Sequence, residues 1–406
     1  MAVGIETRRA GRRVVLALSS ALVLLGAMFL PRTAEAQTLK ILHSFGGGED
    51  GRYPCCSMLR GPAGGLYGTT ESGGQLGFGT VFRVSPSGHR TLLYSFGSNG
   101  EDPDGGLVRD KAGNGYGSTI SGGAGGGGYG TVFKLSTTGQ ETVLYSFQGG
   151  SDGDAPIGTL VIDDAGNLYG ATVQGAGSGC NGFGCGTVFK ISPAGQETIL
   201  HIFTGAPDGA NPESGLVRDS VGNLYGTTSI GGTFNYGMVF MLSATGQETV
   251  LHNFSGPPDG AYPSSRLLGD AGDNLLGTTL GGGESTLLCS SGCGTVFKLT
   301  STGVESVLYS FSGSGDGLDP YGDLIQDKTG SLYGTTNAGG GDPACSCGTV
   351  FKLSRQGTFA TLYTFTGPPD GATPFGGVIL DPSGNLYGTT FFGGEFNRGA
   401  VFELTP

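Results

Sequence analysis

The sequence has 406 residues, of which 84 are glycine and none is tryptophan, and its formal net charge is −12. An acidic balance of this kind disfavours nucleic acid or an anionic membrane as a partner, because either would need a basic stripe to displace counterions. The glycines recur in register with aromatic and β-branched runs, which marks them as turn and close-packing positions rather than disordered filler.

The N-terminal segment has the composition of a secretory signal. Four arginines in residues 8–13 precede an apolar run over residues 14–30, and residues 34–36 are small enough for cleavage. We therefore predict a signal peptide at 1–36 and a single secreted domain, extracellular or periplasmic, at 37–406. The apolar run has 17 residues, which is the lower limit for a membrane span, so an uncleaved anchor is the alternative.

One sequence unit occurs seven times in the remaining chain. Its last copy is Gly-Asn-Leu-Tyr-Gly-Thr-Thr from Gly384, followed after a gap by Gly-Ala-Val-Phe-Glu-Leu from Gly399. The second halves of successive copies begin 51, 56, 51, 57, 54 and 51 residues apart. A period in this range indicates a solenoid or a propeller.

The fourth unit shows how one copy divides into strands. We predict strands at Gly215–Asp219, Leu224–Thr228, Met238–Leu242 and Glu248–Phe254, with a tight glycine-containing turn between the first two. Four antiparallel strands in about fifty residues are typical of a propeller blade.

The two ends of the chain predict how the array closes. The seventh unit stops after its third strand, whereas Leu39–Phe45 matches the fourth strand of the other units, such as Thr142–Phe147. An open array would need polar capping repeats, and none is visible. We therefore predict an all-β, seven-bladed β-propeller with four antiparallel strands per blade, in which the N-terminal strand completes the last blade and removes an exposed edge.

Two resemblances follow from these motifs. The hairpin Leu-Val-x-Asp-x-x-Gly-Asn-Leu-Tyr resembles the inner hairpin of NHL-type propellers, which implies that the strand before the aspartate is innermost. The pair Gly-Asn-Leu-Tyr-Gly-Thr-Thr and Gly-Thr-Val-Phe-Lys-Leu looks like GloVer, a bacterial secreted tandem-repeat family described as choice-of-anchor for its varied C-terminal sorting segments. The likeness spans essentially all of the chain after residue 36 and implies no catalytic residues. The last repeat unit runs up to Pro406 without a sorting segment after it, so we expect release rather than surface anchoring.

Eight cysteines indicate an oxidising compartment. Six of them form close pairs in loop insertions, and these pairs predict local disulfides: Cys180 with Cys185, Cys289 with Cys293, and Cys345 with Cys347. A cysteine zinc site is the alternative, but its ligands would have to converge from different blades. Cys55 and Cys56 are adjacent, and our hypothesis is a vicinal disulfide that lines a ligand site near the channel mouth. The alternative is that each pairs elsewhere or stays a buried thiol.

The histidines and one set of aspartates occupy repeat positions. His43, His201 and His252 stand where other units have an outer-strand tyrosine, so we interpret them as structural substitutes for tyrosine and not as a catalytic set. The connector aspartates have the sequence context of turn residues. Their alternative role is an acidic collar that binds calcium, the one cofactor we consider, or a cationic ligand; the set is Asp50, Asp152, Asp208, Asp259, Asp316 and Asp370.

The connectors and the loops between second and third strands are predicted to open on one face, where binding residues usually lie. Residues that interrupt the repeat there are our candidate ligand-binding set, and for each the alternative is a solvated loop residue. The set comprises Arg52, Cys55, Cys56, Phe234, Tyr236, Arg266, Phe391, Phe392, Phe396 and Arg398.

These features favour a monomeric, non-catalytic binding module for an extracellular glycan, peptide, protein or surface polymer, without stable membrane insertion. The lack of tryptophan weakens the case for sugar stacking, although tyrosine and phenylalanine can substitute. The alternative is a carbohydrate-active hydrolase or lyase at the loop-rich end of the central channel, since two carboxylates or a tyrosine with an arginine can be assembled there. A structural role in the cell envelope is the third possibility.

Overall fold

A computed structural model describes residues 37–124, 128–177, 179–341 and 345–405. The signal peptide predicted at 1–36 lies outside the described residues. Within the described part of the chain, no helix is long and apolar enough to cross a bilayer. The regular structure there is β-strand, apart from three short 3-10 turns at Gly48–Asp50, Pro62–Gly64 and Cys180–Gly182.

The strands form seven antiparallel sheets, named here blades 1 to 7 in chain order. The strands of each blade are given from the inner to the outer one. Blade 1 comprises Leu59–Arg60, Leu66–Thr70, Thr80–Val84 and Arg90–Ser95, and blade 2 comprises Val108–Arg109, Gly115–Thr119, Thr131–Leu135 and Glu141–Ser146. Blade 3 comprises Asp154–Ile162, Leu168–Gln174, Thr187–Ile191 and Glu197–Ile202. Blade 4 comprises Val217–Arg218, Leu224–Thr228, Met238–Leu242 and Glu248–Asn253. In blade 5 the inner position is shared by Gly260–Pro263 and Leu268–Gly269, and the other strands are Leu275–Gly282, Thr295–Leu299 and Glu305–Ser310.

Blade 6 comprises Ile325–Gln326, Leu332–Thr336, Thr349–Leu353 and Phe359–Thr364. Blade 7 comprises Ile379–Leu380, Leu386–Thr390, Ala400–Thr405 and, as its outer strand, Thr38–Ser44. Two further ribbons pair a connector with the loop after a second strand. They are Gly209–Ala210 with Ile230–Gly231, and Gly371–Ala372 with Phe392–Gly393. The predicted fold class, a seven-bladed propeller with four strands per blade, is confirmed.

The N-terminal strand closes the ring as predicted. Thr38–Ser44 pairs antiparallel with Ala400–Thr405 and supplies the outer strand of blade 7. The backbone N–H of Phe45 extends this pairing with a 3.0 Å bond to the carbonyl of Gly399. The edge that Ala400–Thr405 would otherwise expose is therefore covered by the first strand of the chain.

The glycine of Leu-Tyr-Gly-Thr-Thr is a packing position. In blade 4 Gly226 lies opposite Phe240 of the third strand, and a Cβ atom at Gly226 would lie only 2.6 Å from the phenyl ring. The same cross-strand pairing of glycine and phenylalanine recurs in the other six blades. The repeat therefore keeps glycine here because the ring of the third strand fills the space of its side chain.

A second phenylalanine connects each blade to the next. Each outer strand is followed by a fully buried phenylalanine that packs edge to face on the third-strand phenylalanine of the following blade, with ring centroids 5.1 to 5.3 Å apart. The pairs are Phe45 with Phe82, Phe96 with Phe133, Phe147 with Phe189, Phe203 with Phe240, Phe254 with Phe297, Phe311 with Phe351, and Phe365 with Phe402.

The aspartates of the inner hairpins act as turn residues. In blade 4, Asp219 accepts bonds of 2.8 Å from the backbone N–H and the side-chain amide of Asn223 and 3.1 Å from the hydroxyl of Tyr225. Burial acts to raise the pKa of Asp219, but these hydrogen bonds outweigh it and lower the pKa. The tyrosine of the repeat is therefore part of the turn that precedes it.

The innermost strand of blade 4, the unit whose strands were predicted in detail, is shorter than expected. In blade 4 only Val217–Arg218 pairs with the second strand, whereas Gly215–Asp219 was expected. The physical reason is crowding at the axis, because a Cβ atom at Gly215 would lie 2.6 Å from the carbonyl oxygen of Thr159 in blade 3. The residues before Val217 therefore line the channel instead of extending the sheet.

We expect Phe45→Ala to lower the free energy of unfolding by about 3–5 kcal/mol, because it removes a fully buried ring from the junction of blades 7 and 1. Lys40→Ala on the same strand is the matched control, since that side chain is exposed and makes only a 4.0 Å surface ion pair with Glu403. Denaturant unfolding followed by tyrosine fluorescence measures both. Equal stability of Phe45→Ala and Lys40→Ala would contradict closure by the N-terminal strand.

Candidate functional site

The connector prolines place one variable residue of every blade around the axis of the ring. These residues border a pocket that encloses about 470 Å³ of empty space, part of it open to solvent. We call this pocket the channel mouth. The residues directly after the prolines differ from blade to blade; they are Cys55, Asp104, Ile157, Glu213, Ser264, Tyr321 and Phe375.

A repeated backbone conformation produces this arrangement. The residue before each connector proline is not glycine, yet its φ lies between 53° and 62° in all seven blades. In blade 4 this residue is Asn211, whose carbonyl accepts a 3.0 Å bond from the backbone N–H of Ser229 after the second strand. This bond ties the connector to the loop between second and third strands, so both loops open on the same face, as predicted. Left-handed backbone in non-glycine residues is costly and is common at functional sites.

One side of the channel mouth is a cluster of carboxyl groups. Burial raises the pKa of Asp104 to about 7, and the nearby charges of Asp102 and Glu213 add to the effect. Burial likewise raises the pKa of Glu71 to about 8, with Asp104 and Asp102 contributing. The pKa of Glu213 is also raised by burial. At neutral pH this cluster therefore holds protons that an arriving cation can displace.

The other side is a row of aromatic rings that begins at the channel mouth and continues to an exposed loop. Tyr321 packs edge to face on Phe375 at 5.4 Å between ring centroids, and Phe375 contacts Phe391 in the same way at 5.1 Å. Phe391 stacks on Tyr53 at 4.9 Å and contacts Phe392 at 4.9 Å. Phe392 is 39% exposed, so the outer end of the row offers an aromatic surface to solvent.

Cys55 and Cys56 form the vicinal disulfide that we hypothesised, with Cα atoms 3.7 Å apart. The disulfide lies at the channel mouth, and the sulfur of Cys56 is 3.6 Å from Oδ1 of Asp104. The hydroxyl of Thr389 donates a 3.3 Å bond to the carbonyl of Cys56. The pair therefore belongs to the wall of the pocket and touches the carboxyl cluster, and its contact with a ligand stays a prediction.

Arg266 also reaches the channel mouth, but its charge is already paired. Its Nε lies 3.8 Å from Oδ2 of Asp323, and its backbone N–H donates a 3.0 Å bond to Oδ1 of the same carboxylate. Ser57 donates a further 3.1 Å bond to Asp323. This network joins blades 1, 5 and 6, so Arg266 serves first to hold the rim of the pocket together.

The other candidate ligand-binding residues are distributed over the loop face. Arg52 lies above the ring of Tyr53, 5.2 Å from its centroid, and so extends the aromatic row. Further out, Phe234 and Phe396 are exposed, Tyr236 packs on Tyr262 at 5.6 Å, and Arg398 donates a hydrogen bond to the carbonyl of Gly46. The structure thus groups Arg52, Cys55, Cys56, Arg266, Phe391 and Phe392 and leaves Phe234, Tyr236, Phe396 and Arg398 in outer loops.

The predicted collar aspartates lie at the blade junctions. Asp152 is representative, since it accepts 2.9 Å bonds from the backbone N–H of Gln148 and from the hydroxyl of Tyr145. The same turn bond to the residue four positions earlier is made by Asp50, Asp208, Asp259, Asp316 and Asp370. Among the described residues, no cluster with metal-ligating geometry contains two of the six. Calcium binding by this set stays a prediction.

The three predicted loop disulfides are present. Cys180 is paired with Cys185, Cys289 with Cys293, and Cys345 with Cys347, with Cα separations of 5.3, 5.3 and 5.0 Å. The second cysteine of each pair is buried directly before a third strand. The pairs therefore fasten the loop insertions to the rigid sheets of blades 3, 5 and 6.

Sequence reasoning missed several residues of the channel mouth. Asp104, Glu213, Tyr321 and Phe375 were absent from the candidate set, because each appeared to be an ordinary connector residue. Glu71, which comes directly after the second strand of blade 1, was absent as well. A detectable signal exists, since the proline and the strand after it recur in every unit while the residues between them change. Alignment of the seven units at the proline isolates these positions.

We expect the stability of the protein to fall as pH rises from about 5 to 8. The pKa of Glu71 rises from 4.5 to about 8 on folding, so the folded state binds more protons in this window and loses that advantage as the pH increases. Glu71→Gln should reduce the pH dependence of the unfolding free energy by at most about 1.4 kcal/mol per pH unit, the value for one bound proton. Denaturant unfolding at several pH values measures it, with the exposed Glu395→Gln as control. A slope unchanged by Glu71→Gln would contradict the burial of this carboxyl group.

Comparison with known proteins agrees with the architecture. The chain matches two structures of the extracellular domain of BT4673 from B. thetaiotaomicron, described as a one-component system in one and a hybrid two-component system in the other. They share 13% and 12% identity with TM-scores of 0.55 and 0.56, and the matches cover 91% and 90% of this chain. The chain spans only 41% and 39% of their lengths, and this likeness concerns the fold alone.

No curated protein matches the sequence significantly. The model of the Gloeobacter/Verrucomicrobia repeat matches three times, at residues 25–183, 98–289 and 273–406. Together these segments span all seven blades. The chain therefore belongs to the Gloeobacter/Verrucomicrobia repeat family.

Proposed function

We propose that this protein is a secreted, non-catalytic binding module whose ligand docks on the loop face at the channel mouth. The observation that carries the proposal is the position of the aromatic row beside the carboxyl cluster, at sites where the seven units differ. Rigid sheets hold both groups in place, and variable loops on a rigid scaffold are the usual location of binding sites.

The chemistry of the two groups defines a ligand class. Phe391, Phe392 and Tyr53 offer ring faces and edges on which the C–H face of a sugar can pack. Asp104 and Glu71 offer carboxyl groups, and these attract protonated amino groups once the carboxyl groups are ionised. A glycan with free amino groups satisfies both requirements, and we propose this class as the ligand.

Secretion is part of the proposal. The N-terminal segment has the composition of a signal peptide, and four disulfides among the described residues are typical of an oxidising compartment. The fold neighbours from B. thetaiotaomicron are extracellular domains of signalling proteins. A soluble glycan-binding propeller outside the cytoplasm, acting as a monomer, is consistent with these features.

Binding is tested by titrating chitosan hexamer against the protein by calorimetry at pH 8 and pH 6, with chitin hexamer as the acetylated comparison. We expect chitosan to bind more tightly than chitin hexamer, because only chitosan carries free amino groups that can meet the carboxyl groups of Asp104 and Glu71. Phe391→Ala should weaken binding by about 1–2 kcal/mol, roughly five- to thirty-fold in Kd. Phe183→Ala removes an exposed aromatic ring elsewhere and is the control.

The outcomes separate the alternatives. Equal binding of chitin and chitosan would favour a neutral glycan, and binding that is insensitive to Phe391→Ala would contradict the proposed site. If the protein bound a lysine-rich peptide but not chitosan, the result would favour a protein partner over a glycan.

A hydrolase or lyase is the second candidate, and one observation favours it. The pKa of Asp104 is raised to about 7 by burial, which is suitable for a general acid, and the carboxyl group of Glu213 lies close enough to influence it. New reducing ends or unsaturated sugars after incubation with polysaccharides would identify this activity. If Asp104→Asn then abolished turnover but not binding, Asp104 would have a catalytic role.

A further inference from the structure

The junctions between neighbouring blades contain a recurring side-chain contact. The outer strand of one blade supplies a tyrosine or histidine, the connector supplies an aspartate, and the outer strand of the next blade begins with a further residue. At the junction of blades 2 and 3, Tyr145 donates a 2.9 Å hydrogen bond to Asp152, and Glu197 is the third member. Asp152 also accepts a 2.9 Å bond from the backbone N–H of Gln148, so its partners here are protein donors.

Three junctions have histidine in place of tyrosine. At the junction of blades 7 and 1 the group is His43, Asp50 and Arg90, and Nε of Arg90 lies 3.3 Å from Oδ1 of Asp50, so an arginine already balances the aspartate there. At the other two junctions the third residue is a glutamate. Between blades 3 and 4 the group is His201, Asp208 and Glu248, and between blades 4 and 5 it is His252, Asp259 and Glu305. In each group one imidazole nitrogen and two carboxylate oxygens lie within 4.8 Å of one another. Imidazole nitrogen with two carboxylate oxygens is a ligand set for zinc and similar divalent metals.

The first group has the spacing of metal ligands rather than of hydrogen-bonded partners. Nε2 of His201 lies 3.5 Å from Oδ1 of Asp208 and 3.8 Å from Oε1 of Glu248. Ligands at about 2.1 Å from a tetrahedral zinc ion are about 3.4 Å apart, which is close to these separations. The second group is tighter, with Nε2 of His252 3.2 Å from Oδ2 of Asp259.

Unpartnered buried atoms point into these groups. Nε2 of His201 and Oε1 of Glu248 are inaccessible to solvent and have no hydrogen-bond partner among the described residues. Oε1 of Glu305 is also without a partner, but so is Oε1 of Glu197 at the tyrosine junction, so the unpaired imidazole nitrogen of His201 is what distinguishes the first histidine junction. Buried polar atoms in folded proteins nearly always have a partner. Both atoms at the first junction face each other across a gap that a metal ion would bridge.

The charge at the two junctions is also unbalanced. Each of the two groups combines two carboxyl groups with one imidazole. The negative charge collected there is thus opposed by a single imidazole, and a divalent cation would neutralise it. The side chains of His201, Asp208 and Glu248 are each 17–18% exposed, so an ion can enter from the rim of the ring.

We propose that the protein binds two divalent transition-metal ions of the zinc class at these junctions, one held by His201, Asp208 and Glu248 and the other by His252, Asp259 and Glu305. Each ion has three protein ligands from two adjacent blades, with solvent as the fourth ligand, and so fastens blade 3 to blade 4 and blade 4 to blade 5. The chain itself provides the comparison, because tyrosine occupies the same position at the junction of blades 2 and 3.

Zinc binding is tested on untagged, non-reduced protein by calorimetry with zinc chloride and by elemental analysis after dialysis. We expect two zinc ions per chain. His201→Tyr and His252→Tyr should each reduce this to one and the double variant to none. These changes copy the Tyr145 junction, where the ring also packs edge to face on the phenylalanine two residues later, so folding should be preserved. Zinc should also raise the melting temperature of the wild type and not that of the double variant.

Carboxylate variants provide the second test. Glu248→Gln should lose one zinc ion, whereas Glu197→Gln at the tyrosine junction should retain both. Equal zinc content in the wild type and the double histidine variant would overturn the proposal. So would absence of zinc from a folded wild type, because the histidines would then be only hydrogen-bond or ion-pair partners of the aspartates. Calcium bound in preference to zinc, and unaffected by the histidine variants, would return the aspartates to the collar prediction.

Discussion

The edge-to-face contact between phenylalanines of adjacent blades is the interaction on which the ring depends. It occurs at all seven junctions with nearly the same centroid distance, 5.1 to 5.3 Å, so each blade is set against the next in the same way. One partner, such as Phe240, lies over Gly226 in its own sheet, and the other, such as Phe203, comes from the preceding blade. The glycine, the central phenylalanine and the terminal phenylalanine of the repeat thus form one packing unit that spans two blades.

Most of this architecture was predictable because it repeats. Seven copies of the same turn and strand pattern determine the blades, and the match of Leu39–Phe45 to an outer strand determines the closure. The length of the innermost strands was not predictable. It depends on how closely the backbones of neighbouring blades approach at the axis, as Gly215 and Thr159 do, and such contacts between distant residues leave no periodic signal in the sequence.

The candidate site was only partly predictable for the same reason. Cys55, Cys56, Phe391 and Phe392 attracted attention because they are unusual residues in a regular background, and all four lie at or beside the channel mouth. Glu71 and Asp104 are common residue types whose significance arises from burial and from each other, which only the folded structure brings about. The histidines are instructive in the opposite sense, since their role as substitutes for tyrosine is visible from the alignment but their carboxylate neighbours on the next blade are not.

Closure of the ring by the first strand also constrains the order of assembly. Ser44 at the end of that strand contacts Glu395, 351 residues later, so this junction forms only after blade 7 has emerged from the ribosome or the export channel. Each preceding blade can complete its own four strands as it appears, because its contacts are local. Before Ala400–Thr405 is available, the N-terminal strand has no partner strand in blade 7, so that blade lacks its outer strand. Phe45, which follows the N-terminal strand, is then not yet held against Phe82 in the core of blade 1. The joint that makes the propeller continuous therefore has a far greater sequence separation than the contacts within the other blades, and with it a higher loop-closure entropy cost.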